Sequence, residues 1–136
     1  SRDFVSSAFA AQLADVAAGG LPLIRVGSHD QRRDFTDVRG GVRAYALLLE
    51  RGRAGLAYNI ASGRMIPVRE LFEGLCEVAR VRPQIEVDPL LFRPNENRPA
   101  YDVARIRAHV GWEPQIPLRQ TLEAVYGDVV ARRAKA

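Results

Sequence analysis

The chain reads as an α/β fold, mainly helices joined by a few short strands. Three observations lead there. Apolar residues recur at helical spacing in several segments, short β-branched runs stand between them, and Gly or Pro punctuates the junctions. Val5, Phe9, Leu13 and Val16 share one face of a helix over 5–18, capped near Ser6 or Ser7 and stopped by Gly19-Gly20 and Pro22. Leu23-Ile24-Arg25-Val26 is a short strand, ended by Gly27-Ser28 as a turn would end it. Val38, Val42, Tyr45, Ala46 and Leu49 lie on one face of a second helix, with Thr36 or Asp37 able to cap it and Gly52 and Gly55 to stop it.

Residues 56–60 form a second, mostly apolar strand before the turn signal Ser62-Gly63. Pro67 stands in the first turn of a strongly amphipathic helix whose stripe is Val68, Leu71, Phe72, Leu75, Val78 and Ala79. Ile85 and Val87 alternate with polar neighbours in a short strand. Pro89, Pro94 and Pro99 then forbid regular structure through Arg98 and leave a loop suited to function. Asp102 can cap a short helix ending at Gly111, and 118–130 forms the last helix, with Leu122, Val125 and Val129 on one side and a frayed basic tail beyond.

With 136 residues, 47% hydrophobic and 26% charged, the chain has an ordinary globular composition that argues against disorder and suffices for a single domain, 1–136. The net charge of +4 comes from arginines spread along the chain, which weakens a nucleic-acid reading. Cys76, the single cysteine, has no intramolecular partner and fits a small buried hydrophobe in a reducing cytoplasm. No apolar run is long enough to span a bilayer, and 1–4 lack the sectors of a signal peptide. His29 and His109 have no Cys, Asp or Glu at ligand spacing, which argues against a metal site and places both at the surface.

Four ordered stretches carry the functional signal: Arg32-Arg33-Asp34-Phe35-Thr36-Asp37-Val38, Tyr58-Asn59-Ile60-Ala61-Ser62-Gly63, Arg93-Pro94-Asn95-Glu96 and Gly111-Trp112-Glu113-Pro114. In this order and spacing they resemble the C-terminal half of nucleotide-sugar-modifying enzymes of the extended short-chain dehydrogenase/reductase, NAD-dependent epimerase/dehydratase family. The GDP-mannose 4,6-dehydratases and GDP-4-keto-6-deoxymannose reductases are nearest in kind. The resemblance implies the C-terminal portion of an NAD(P)-binding Rossmann-type enzyme, with the main cofactor-binding sheet missing. No Gly-rich dinucleotide fingerprint follows a strand, and Lys135, the sole lysine, excludes a Tyr-x-x-x-Lys pair. The resemblance therefore implies a substrate-gripping portion with no catalytic residue of its own. NAD or NADP would be bound in the complete enzyme and not by this chain alone, and the catalytic portion would lie upstream.

Arg33 sits where a short extended segment meets a helix start, a rigid base beside positive helix-terminal potential that suits a phosphate. The resemblance assigns the Arg33 side chain to the diphosphate of the sugar nucleotide, with Arg32 the adjacent candidate; surface pairing of Arg33 with Asp34 or Asp37 is the bland alternative. Arg93 and Glu96, three residues apart in the Pro-rich loop, divide naturally into phosphate and ribose-diol contacts. The family assigns those same roles, against an exposed ion pair as the bland alternative. Val26 and Gly27 match the strand end that lines base and ribose in relatives, although relatives continue Gly-Asn where this chain has Ser28. A plain turn glycine explains Gly27 as well. Val5 and Ser7 match the helix start that relatives place near the nucleotide; helix capping explains Ser7 equally. Relatives often carry Asp or a similar polar residue where Gly40 stands, and Trp112 fits packing and chain reversal.

The implied partner is a nucleotide diphosphate sugar, with a GDP-sugar favoured, and neither nucleic acid nor membrane is expected. Relatives often form homodimers. Two other classes stay open: a non-catalytic nucleotide-sugar-binding module and a basic nucleic-acid-binding domain, whose affinity would fall steeply with salt.

Overall fold

The computed structural model describes residues 4–27, 29–91 and 99–135. The chain divides into two compact units, Ser1–Gln31, Pro67–Glu96 and Arg119–Ala136 in the first, Arg32–Ile66 and Asn97–Leu118 in the second.

In the first unit, helix α1 (Val5–Ala17) packs on α3 (Val68–Ala79). Phe9, Leu13, Leu71, Phe72 and Leu75 are buried there, with Phe9 and Phe72 edge to face at 5.1 Å between centroids. The cap of α1 is Phe4, whose side chain cannot bond the exposed N–H groups; Ser6 and Ser7 already lie inside the first turn. The helix starts earlier than the hydroxyl pair suggested. Backbone carbonyls do the equivalent work for α3, where Gln31 and His29 accept from the N–H groups of Val68 and Arg69 at 2.9 Å. Helix α5 (Leu118–Arg133) buries Leu122 and runs three residues past the expected end, with Arg132 bonded to Asp128 and Arg133 to Asp15.

Strand β1 (Leu23–Val26) pairs in parallel with β4 (Gln84–Val87), in the register Leu23 with Gln84 to Val26 with Val87. Ile24 and Val26 are buried, but β4 is exposed along its whole length, Ile85 and Val87 included. The alternation in β4 thus marks a strand without marking a core face. A 3-10 turn, Pro89–Leu91, follows it.

In the second unit, β2 (Arg32–Asp34) pairs with β3 (Met65–Pro67), two three-residue strands that sequence periodicity is too short to reveal. Helix α2 (Val38–Arg51) starts at Asp37, whose carboxylate accepts from the Arg39 N–H at 2.9 Å, as the sequence led one to expect. Its core face is not the expected stripe. Ala44, with Leu47 and Leu48, packs against Ile106 and Val110 of α4 (Ala104–Val110) and against Trp112, while Val38, Val42, Tyr45 and Leu49 are exposed. Trp112 explains the rotation. Its indole is 1% exposed and donates to the Gly40 carbonyl at 2.9 Å, so the bulky ring lies over the small-residue side of α2.

Asp102 accepts from the Ala104 N–H at 2.8 Å at the start of α4, and Gly111 ends that helix in the left-handed region, φ 66°. Residues 56–60 are not a strand: the segment forms no ladder among the described residues. A strand requires a hydrogen-bonded neighbour, which apolar composition alone does not supply. No described helix is long and apolar enough to cross a membrane.

Candidate functional site

In the first unit, β1 carries Val26 and Gly27 to its carboxyl end, where the Asp88 N–H donates to the Val26 carbonyl at 2.8 Å. That bond draws the 3-10 turn across the end of the strand. A Cβ on Gly27 would lie 2.3 Å from the Leu91 carbonyl oxygen, so only glycine accommodates this crossing. The backbone that comes close is the chain's own. Leu91, in contact with Gly27, is also the last described residue before 92–98, the stretch that contains Arg93 and Glu96. Both of those residues lie outside the described part of the structure. Val5 and Ser7 occupy the first turn of α1 in the same unit, and both are half-buried.

In the second unit, Arg33 sits at the middle of β2. Side chains alternate along a strand, and both neighbours of Arg33 turn to the 62–65 segment. Arg32 donates to the Met65 carbonyl at 2.6 Å, and Asp34 accepts from the Ser62 N–H at 2.8 Å and the Ser62 hydroxyl at 2.9 Å. Thr36 adds a third hydrogen bond to Asp34 at 3.1 Å. Arg32 is thereby committed to the framework. Arg33 is half-buried on the opposite side of the strand, with Nη1 bonded to the Arg32 carbonyl at 2.8 Å.

Directly after β2, Asp37 is buried and chelated by Arg39 through Nε at 2.9 Å and Nη2 at 2.8 Å. The hydrogen bond to Asp37 is the main reason that the Arg39 pKa lies above its usual value, with desolvation opposing and the Asp37 charge assisting. The start of α2 is thus a neutralised cap. Sequence reasoning missed the Asp34–Ser62 clamp, whose only trace was an acid in one motif and a hydroxyl in the next. It also misplaced His109, whose Nδ1 lies 2.8 Å from the Tyr58 hydroxyl with the rings edge to face. Among the described residues no group of His, Cys, Asp and Glu could hold a metal ion.

The profile of GDP-mannose 4,6 dehydratase matches residues 1–125. The chain belongs to that family. It is 37% identical over 131 residues to the GDP-6-deoxy-D-mannose reductase of Pseudomonas aeruginosa, an alignment covering 95% of this chain and 43% of that protein. It is 33% identical to the dTDP-glucose 4,6-dehydratase of Haemophilus influenzae, across 78% of this chain and 35% of that one. Among solved structures, RMD from Pseudomonas aeruginosa complexed with NADPH superposes with a TM-score of 0.90 at 35% identity, over 97% of this chain and 44% of that one. The chain therefore spans less than half the length of these family members. Its α/β architecture is that of the extended short-chain dehydrogenase/reductase family, in part.

Proposed function

We propose that this chain is the substrate-binding part of an NAD(P)-dependent nucleotide-sugar dehydratase, reductase or epimerase that acts on a GDP-sugar of the GDP-mannose type. Arg33 and Arg93 clamp the diphosphate, Glu96 accepts from the ribose hydroxyls, and Val5, Ser7, Val26 and Gly27 line the nucleoside. Guanidinium groups suit the phosphates because their planar donors meet phosphate oxygens two at a time. The observation that supports the reading is the family motif as folded: the bonds of Arg32 and Asp34 to the 62–65 segment hold in place the strand that bears Arg33.

No residues here fit a dinucleotide. The chain has no Gly-rich strand-turn-helix fingerprint and no Tyr-x-x-x-Lys pair, so the nicotinamide cofactor, the hydride step and the proton transfer belong to other residues of the complete enzyme. This chain alone binds without turnover. Its contribution is positional, since holding a substrate in reactive geometry converts the encounter into an effectively unimolecular step. Calorimetric titration with GDP, UDP and dTDP tests the assignment: GDP binds tightest, and a protein that takes up none of the three is not the substrate part.

A further inference from the structure

Strand β4 is a sheet edge: among the described residues its ladder runs to β1 and no strand pairs with its other flank. Backbone groups point alternately to the two flanks of a strand, and the N–H groups of Gln84 and Asp88 donate to the Pro22 and Val26 carbonyls at 2.7 and 2.8 Å. Residues of that parity are spent on β1. Ile85 and Val87 therefore turn their N–H and C=O groups to the open flank. Their side chains share a face with the buried Ile24 and Val26, their partners in the register, yet stay 48% and 50% exposed because the layer stops at β4.

Nothing blunts this edge. Proteins guard such strands with lysine, an internal proline or a bulge, whereas 84–87 has neither residue and pairs one to one with β1. The charge of Glu86 is balanced by Arg25 at 3.1 Å. The flanking residues specify the missing strand. Arg82 is exposed and makes no ion pair among the described residues, and Asp88, whose Oδ1 accepts from the Leu90 N–H at 2.9 Å, has Oδ2 to offer.

Antiparallel pairing of β4 with its own copy, centred on Ile85, sets Arg82 opposite Asp88 and Gln84 opposite Glu86, each twice across the twofold axis. The two Ile85 residues exchange both backbone bonds, and each Val87 N–H reaches a Pro83 carbonyl. No neighbouring centre does as well. Centring on Glu86 faces two like carboxylates, and centring on Val87 sets Glu86 against Asp88. Centring on Gln84 places Pro83, which has no N–H, opposite Ile85, and places Val81, whose N–H already bonds the Cys76 carbonyl at 3.2 Å, opposite Val87.

We infer that β4 is a homodimer surface: two copies of this chain pair their β4 strands antiparallel about Ile85, forming a four-stranded sheet ordered β1-β4-β4-β1. The occupant is a second copy because the complementary charges lie on one strand, Arg82 at one end and Asp88 at the other, as self-pairing across a twofold axis requires. No residue placed in the nucleotide site takes part, so pairing and nucleotide binding are separable.

One short strand pair buries little area, so association is measured by sedimentation equilibrium up to about 0.5 mM chain. Wild type forms dimers, and Ile85→Lys, whose charge meets its own copy across the axis, raises the dissociation constant at least tenfold at an unchanged melting temperature. A wild type that stays monomeric, or an Ile85→Lys variant that dimerises equally well, overturns the proposal. Register is read separately, in a Cys76→Ala background. Oxidised glutathione cross-links an equimolar mixture of Gln84→Cys and Glu86→Cys chains, whose Cα atoms approach to about 4.5 Å in the non-hydrogen-bonded pair, at least tenfold faster than either chain alone. Cross-linking no faster in the mixture overturns the pairing, and it does so even where Ile85→Lys proves less stable than wild type.

Discussion

Replacing Gly27 with alanine probes the crossing of β1 and the 3-10 turn directly. The new methyl carbon would sit 2.3 Å from the Leu91 oxygen and 2.8 Å from its carbonyl carbon, both backbone atoms without a rotamer to change. The turn has to retreat by roughly 0.7 Å or more, an overpacking strain of about 1–3 kcal/mol. Retreat also stretches the 2.8 Å hydrogen bond from Asp88 to Val26, worth about 1 kcal/mol. The expected loss is about 3 kcal/mol, or roughly 10 °C in melting temperature for a chain of this size. Urea unfolding monitored by far-UV circular dichroism should show a lower midpoint with an unchanged slope. Because Leu91 leads into the segment bearing Arg93 and Glu96, GDP affinity should fall as well. An unchanged midpoint would refute the close crossing, and a lower midpoint with full GDP affinity would detach it from the proposed site.

Asp34→Ala leaves the Ser62 N–H without its acceptor, while the Ser62 hydroxyl keeps the Arg64 carbonyl, and should cost about 1–3 kcal/mol in equilibrium unfolding. Gly40→Ala should act in the opposite direction: a Cβ there meets nothing within 4 Å, so the helix gains about 1 kcal/mol, read as a higher urea midpoint. Burial, followed by the nearby Glu73 charge, pushes the Cys76 thiol up to about 11. Its folded pKa thus exceeds the unfolded value of ~8.5, so the contribution to stability is intact below that value and lost as pH rises through the folded one. Thiol labelling at pH 8 should accordingly be slow in the native chain and fast in urea.

Local signals carried much of the fold. The stripe of α3, the Asp102 and Asp37 carboxylates at helix starts and Gly111 at a helix end all depend on neighbours a few positions away. Long-range geometry was less legible. Residues 56–60 have a strand's composition, but a strand is defined by its partner, and none pairs with it among the described residues. The α2 stripe was visible as a stripe, yet periodicity does not say what a face touches, and Trp112, 72 residues from Gly40, selected the other side. The site was read as single residues, Arg33 above all. What fixes Arg33, the bonds of Arg32 and Asp34 to 62–65, needs two motifs folded together, and its sequence trace is only their co-occurrence.

The substrate-binding account stands most directly on a double-mutant cycle of GDP affinity across Arg33→Ala and Arg93→Ala, followed by calorimetry. If both guanidinium groups hold one diphosphate, each single variant weakens binding more than tenfold, as expected for a charge-assisted hydrogen bond of roughly 1.5–3 kcal/mol. The double variant then departs from additivity by at least about 0.5 kcal/mol, because the two share a ligand. Unchanged affinity in either single variant, or strictly additive losses, would contradict the shared clamp.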